Sequence, residues 1–243
     1  MTTAPLLVEV VAAHGGIERW SAVRRLSLQV RVRGNILVLR LQSPRVRSLN
    51  VTIETHRIHV SLDPFPRAGQ IGYFDGQEVR IETDDARIMA QREVRRSAEG
   101  TVTPRLVWDD LDLLYFLGYA LWNYAVTPFV FLWTGFDCRE GAPWRARDGA
   151  TQRSLHVTYP PAFPTHSREQ RFYFDDRGLL RRIEYSADVF GGWARAVHEC
   201  DSHRTFDGLV FPTHRVVFAR TAAGRARRAL RLMEGWVDHV AAI

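Results

Sequence analysis

Three stretches of the chain share one device. In "HSREQRFYFDDRGLLRRIEYSADV" (residues 166–189), "GYFDGQEVRIE" (72–82) and "TFDGLVFPTHRVVF" (205–218), a short turn containing Asp and Gly separates two runs of strand character. Asp75-Gly76 and Asp175-Asp176-Arg177-Gly178 supply residues that accept the left-handed conformations of tight hairpin turns. A chain that reverses this way builds an antiparallel sheet, since parallel neighbours need long crossovers.

The rest of the chain extends the pattern. In "RRLSLQVRVRG", Leu26, Leu28, Val30 and Val32 alternate with Arg25, Ser27, Gln29, Arg31 and Arg33, which predicts a strand with one buried and one wet face. Gly34-Asn35 reads as a turn and "ILVLRL" as its return strand. "SLNVTIETHRIHVSL" reads as one strand bulged near Thr55–Arg57. Residues 84–104 are polar and basic without a period and read as a loop. Further strands are predicted over 152–159, 167–175, 179–188, 194–204, 209–219 and 227–237. A sheet of roughly ten or eleven strands cannot stay flat, because strand twist curls it. The expected architecture is mainly β (α+β): a curved antiparallel half-barrel covered by helices. It forms a single domain over 1–243, with N-terminal helices at 4–23, sheet at 24–83, a helical insertion at 105–135 and sheet again at 150–237.

One segment departs from the strand pattern. "WDDLDLLYFLGYALWNYAVTPFVFLW" (108–133) predicts a helix capped by Asp109 or Asp110 and stopped before Pro128. It is apolar almost all round, so it is buried in protein or in lipid. A spanning helix needs about 20 apolar residues, more than this segment offers before Pro128. The expected place for it is the concave face of the curled sheet, with an apolar cavity between helix and strands.

Composition narrows the functional classes. The net charge is +6 and all 33 basic residues are Arg. They are dispersed apart from clusters at Arg45–Arg47, Arg92–Arg96 and Arg225–Arg231, which argues against a nucleic-acid partner. Cys138 and Cys200 are too few for a disulfide scaffold. "MTTAPLLVEVVAAHGG" has no basic leader and carries Glu9 in its apolar run, so a cytoplasmic location is expected. No G-x-S-x-G elbow, G-x-G-x-x-G loop or phosphate-binding loop occurs, and no cofactor is expected.

The element order resembles the bacterial lipoprotein-carrier and lipoprotein-receptor superfamily (LolA/LolB-like). The residues that carry the resemblance are "HGGIERW", the "FYFDDRGLLRRIEY" and "FDGLVFPTHRVV" hairpins and the mid-chain helical insertion, over residues 4–237. The resemblance implies a half-barrel covered by helices, with a cavity for acyl chains or other greasy ligands. Carriers of that superfamily are exported and receptors carry a lipidated Cys near the mature N-terminus. Neither signature appears here, which implies another use of the fold in the cytosol. The superfamily has no catalytic motif to transfer.

Candidate site residues follow from this architecture. Tyr115, Tyr119 and Trp122 of the apolar helix, Phe172 with Arg168 and Gln170 of its strand, and His198 are the expected ligand-binding set. An inward Arg168 would need an anion, either from a ligand or from Asp112 or Glu184. Acid–base chemistry would fall to His203 paired with Asp201, or to His166. A metal would need His198 and Cys200 joined by His156 or His214, a spacing that matches no known motif, and no metal is expected. The leading functional reading is binding of an apolar small molecule or lipid. The alternatives are an enzyme of specialised metabolism (a cyclase, isomerase or hydrolase using His) and a docking protein whose helix makes peripheral membrane or partner contact.

Overall fold

The first and last strands of the chain lie side by side in the middle of one sheet. The structure is a computed structural model that describes residues 4–43, 45, 47–94 and 106–243. Two short helices, α1 (Pro5–Ala13) and α2 (Ile17–Ala22), precede β1 (Arg25–Gly34), β2 (Arg47–Glu54), β3 (Val60–Asp63), β4 (Gln70–Phe74), β5 (Glu78–Thr83) and β6 (Ile88–Glu93). A long helix, α3 (Asp110–Val126), leads to β7 (Asp137–Arg145), β8 (Thr151–Thr158), β9 (Glu169–Phe174), β10 (Leu180–Ser186), β11 (Arg195–Phe206), β12 (Leu209–Arg220) and β13 (Ala226–Ala242).

Among the described residues the sheet has 13 strands in the order β6-β5-β4-β3-β2-β1-β13-β12-β11-β10-β9-β8-β7. Two meanders therefore run outward from the β1–β13 pair, and β6 and β7 form opposite edges. The count exceeds the expected ten or eleven for three reasons. Thr55–His59 reverses the chain instead of bulging it, with the Glu54 amide donating to the His59 carbonyl, so β2 and β3 are separate strands. Residues 88–93, expected in a loop, form β6, while 95–104 of that loop lie outside the described residues. β7 falls in a stretch to which no strand was assigned. In the other direction, "ILVLRL" is not a strand: Asn35–Arg40 forms a 3₁₀ helix that buries Ile36 and Leu37 and exposes Val38 and Leu39.

The topology forces α3 across the face. Leaving β6 at one edge and entering β7 at the other, the chain must traverse the whole sheet. Asp109 and Asp112 form a reciprocal capping box that starts α3, with the Asp112 amide donating to Asp109 Oδ1 at 2.9 Å. Arg92 of β6 pairs with both carboxylates and ties the helix start to that edge. Pro128 ends the helix, and Thr127 Oγ1 donates to the Asn123 carbonyl at 2.8 Å. Among the described residues no helix is long and apolar enough to cross a membrane.

Contacts of α3 define the curvature. A Cβ built on Gly118 would stand 2.9 Å from Phe74 Cβ on β4, while the Tyr124 ring packs edge-on against His198 of β11 at 4.7 Å. Six strand spacings separate β4 from β11 in the sheet order, about 29 Å in a flat sheet. A helix about 10–12 Å wide reaches both only because the sheet curls around it. On the same concave side, α1 buries Leu6, Leu7, Val10 and Val11. The Gly118–Phe74 approach yields a test. Gly118→Val is expected to lower stability by about 1–3 kcal/mol through overpacking, read as a reduced urea midpoint; an unchanged midpoint would show that α3 does not press on β4.

Candidate functional site

The cleft between α3 and the concave sheet is lined almost wholly by apolar groups. Leu28, Val30 and Val32 of β1 and Val51 and Ile53 of β2 form one side, and Val217, Met233 and Val237 continue it across β12 and β13. α3 contributes Phe116, Leu117, Ala120, Leu121, Tyr124 and Ala125. Helical spacing places these on one stripe, with small side chains in its middle. The cavity is about 90 Å³ and opens to solvent, and its apolar lining with a few convergent polar groups is the composition of a small-molecule site.

One end of the cleft is polar. His198, Arg215, Tyr124 and Tyr185 converge there. Arg215 Nη1 donates to Cys200 Sγ and Nη2 to the Tyr124 carbonyl, each at 3.2 Å. The second bond has a clear cause. The Tyr124 carbonyl would normally accept from the amide four residues on, which is Pro128 and has no N–H. Burial raises the Cys200 thiol, so it stays neutral and supplies no counter-charge. Among the described residues no carboxylate lies within ion-pair distance of Arg215. His198 is 0% exposed, and neither ring nitrogen has a hydrogen-bond partner among the described residues. Burial, with Arg215 and His166 nearby, holds it well below the usual histidine range, so the ring is neutral.

Behind this end lies a hydrogen-bonded aromatic cluster. His166, 4% exposed, stacks on Tyr185 at 4.2 Å and meets Tyr119 Oη at 3.0 Å and Tyr124 Oη at 2.6 Å. Its ring nitrogens are thus both engaged, and burial lowers it to about 3. A neutral imidazole has one N–H and one lone pair, so one tyrosine accepts from it and the other donates to it. This cluster pins α3 to the segment before β9.

The remaining candidates fall in different places. Tyr115 packs on Phe74 at 5.6 Å, and Trp122 Nε1 donates to the Glu54 and Arg57 carbonyls at 2.9 and 3.1 Å. With Tyr119 they form the faces of α3 that fill the core, not the stripe that lines the cleft. Phe172 packs on Phe131 at 4.8 Å, and Gln170 is buried, its amide donating to Thr165 and the Ser167 carbonyl. Arg168 is exposed, so it does not follow Phe172 inward. Asp112 pairs with Arg92, and Glu184 with Arg182 and Arg220 at 2.5 and 2.9 Å.

Ser202 adopts φ 55° and breaks the alternation of β11, so Asp201 and His203 do not form the expected pair. Asp201 meets His214 Nδ1 at 3.0 Å, while His203 Nε2 lies 2.9 Å from the Leu180 carbonyl. Asp201 and His166 are likewise apart. His214 also meets Glu234 at 3.2 Å, and His156 lies in an outer groove with Asp137 and Arg139. His198 therefore does not gather with His156 or His214, and among the described residues no group of three or more His, Cys, Asp or Glu could hold a metal ion. Residues missed from sequence are Tyr124, Tyr185 and Arg215. Arg215 had a signal: it alternates with Phe211, Thr213 and Val217 on the apolar side of "FPTHRVVF".

No family model matches the chain, and no curated protein matches it. Among solved structures it is similar to a LolA superfamily protein from Nitrosomonas europaea, with a TM-score of 0.55 and 10% identity over 100% of this chain and 94% of that one. It is also similar to a DUF1329 family protein from Desulfovibrio piger, with a TM-score of 0.53 and 10% identity over 98% and 91% of the two chains. The chain therefore has a LolA-like fold, at identities that carry no residue role across.

Two measurements probe the buried histidines. Burial lowers His14 to about 4 and His166 to about 3, and it holds His198 well below the ordinary 6.5. Below pH 6.5 the unfolded chain binds protons that the folded chain refuses. Stability is therefore full above that pH and declines below it, by about 1.4 kcal/mol per pH unit for each such histidine. Urea unfolding between neutral pH and mild acid should show this slope, and a flat profile contradicts the buried neutral state. Separately, His166→Phe removes the shared partner of Tyr119 and Tyr124 and should cost about 1–3 kcal/mol while making the acid slope shallower.

Proposed function

We propose that the protein binds an apolar small molecule or acyl chain in the cleft under α3. The observation that carries this reading is the small-residue stripe of Leu117, Ala120, Leu121 and Ala125 facing apolar strands. Phe116 and Tyr124 flank that stripe, and the aliphatic side chains between them leave the space open. Tyr115, Tyr119 and Trp122 lie on the other faces, where they fill the core. The LolA-like fold supports the reading, since the resemblance implies a cavity for greasy ligands. An acid–base role for His203, Asp201 or His166 has less support, because none of them lines the cleft.

Native mass spectrometry of freshly purified protein, followed by solvent extraction, tests the proposal. A defined adduct that releases an apolar compound is the expected result. A bare mass, with no uptake of an offered fatty acid or hydrophobic dye, overturns it. Filling the cleft provides the companion test. Ala120→Trp should weaken dye binding by about tenfold or more, equivalent to at least about 1.4 kcal/mol, with the far-ultraviolet circular dichroism unchanged.

A further inference from the structure

Two groups at the polar end of the cleft lack what their chemistry requires. Arg215 carries a fixed positive charge, and its hydrogen-bond partners among the described residues, a thiol and a peptide carbonyl, are both neutral. A guanidinium presents five donors, and these two bonds leave donors to spare. His198 is fully buried with both nitrogens unpartnered. The two lie on the same inner side of the sheet: Arg215 pairs in register with Cys200, two residues along β11 from His198. Both face the cleft.

Several other arginines have carboxylate partners within the protein, while the buried Arg40, away from the cleft, takes the Val189 and Phe190 carbonyls. Arg182 and Arg220 share Glu184, Arg31 takes Asp238, and Arg228 takes Glu199. Within the aromatic cluster, His166 has two tyrosine hydroxyls. Half-buried Arg215 lies over the Tyr124 ring at 4.8 Å, and it faces the apolar cavity with no carboxylate partner beside His198, whose two ring nitrogens have no hydrogen-bond partner among the described residues.

We infer that Arg215 and His198 receive the carboxylate of a long-chain monocarboxylic acid whose tail occupies the apolar cleft. This rests on the proposed cleft-binding function and narrows it to a ligand class. One carboxylate oxygen accepts from the guanidinium and the other from the neutral imidazole N–H. Charge-assisted bonds of this kind are stronger than neutral ones, and the planar fork of Arg suits a carboxylate. A single negative charge balances the single guanidinium. Tyr124 and Tyr185 close the sides of the head-group pocket, and the apolar walls of β1 and β2 accept the chain.

Competition binding of lauric acid, lauryl alcohol and lauryl phosphate at neutral pH tests this without any mutation. Wild-type protein should prefer the acid over the alcohol by at least about tenfold. Arg215→Gln should remove that preference, with an unchanged far-ultraviolet circular dichroism spectrum reporting that the protein is still folded. Equal binding of acid and alcohol by the wild type overturns the carboxylate assignment but leaves the cleft reading standing. Binding of neither overturns the cleft reading itself. Preference for the phosphate over the acid overturns the choice of head group. Should Arg215→Gln unfold, because it loses the bond to the Tyr124 carbonyl, His198→Leu serves instead, with a smaller but measurable loss of the acid preference; an acid preference unchanged in the variant that folds overturns the assignment.

Discussion

Gly118 of α3 sits on Phe74 of β4, and Tyr124, about two turns further along, sits on His198 of β11. One helix in contact with both arms sets the curvature of the whole sheet. The sheet would twist in any case, but the helix decides how far the arms approach and where they stop. Side chains on one surface of α3 are large enough to meet the strands and on another are not. The cleft is the region where they fall short. It is bounded by the same contacts that hold the fold together, so cavity and core share one scaffold.

The division of labour along α3 is a matter of side-chain volume. Tyr115, Tyr119 and Trp122 are buried and filled around. Leu117, Ala120 and Ala125 leave space that no neighbour among the described residues closes. Close packing is the default state of a protein interior, so an unfilled apolar volume beside a well-packed aromatic cluster needs a cause other than poor fit. The polar groups at its end have the same character. Pro128 leaves a helix carbonyl free, Arg215 meets it, and that bond fixes the guanidinium at the head of the cleft.

Much of this was legible in the sequence, and what escaped did so for physical reasons. The Asp-Gly turns, the alternation over Leu26–Val32 and the capping residue of α3 each act through local chemistry, so they could be read directly. β6 and β7 are edge strands with little burial on either face, and they carry no alternation to detect. The reversal between β2 and β3 has no Gly, Pro or Asn to announce it; Thr55 helps to hold it by donating to the Val23 carbonyl at 2.6 Å. Of the expected ligand-binding residues His198 lines the cleft, whereas Tyr115, Tyr119 and Trp122 of α3 do not, because the size that marks them in sequence also lets them fill the core. Arg215 was missed because its only sequence signal is a charge on an apolar strand side, and its setting depends on Cys200, Tyr124 and His198, which other strands and α3 bring to it.

The pairing of β1 with β13 has a further consequence for how the chain comes to be this shape. β13 is the last strand in sequence yet the central one in the sheet, with six strands on either side. During synthesis the two meanders can each form early, but β1 and β12 present open edges to solvent until residues 226–242 emerge. Both edges carry apolar inner faces that form the cleft walls, a combination prone to wrong pairing. The inner surface of the half-barrel is therefore continuous only when β13 lies between β1 and β12, so one strand joins both arms.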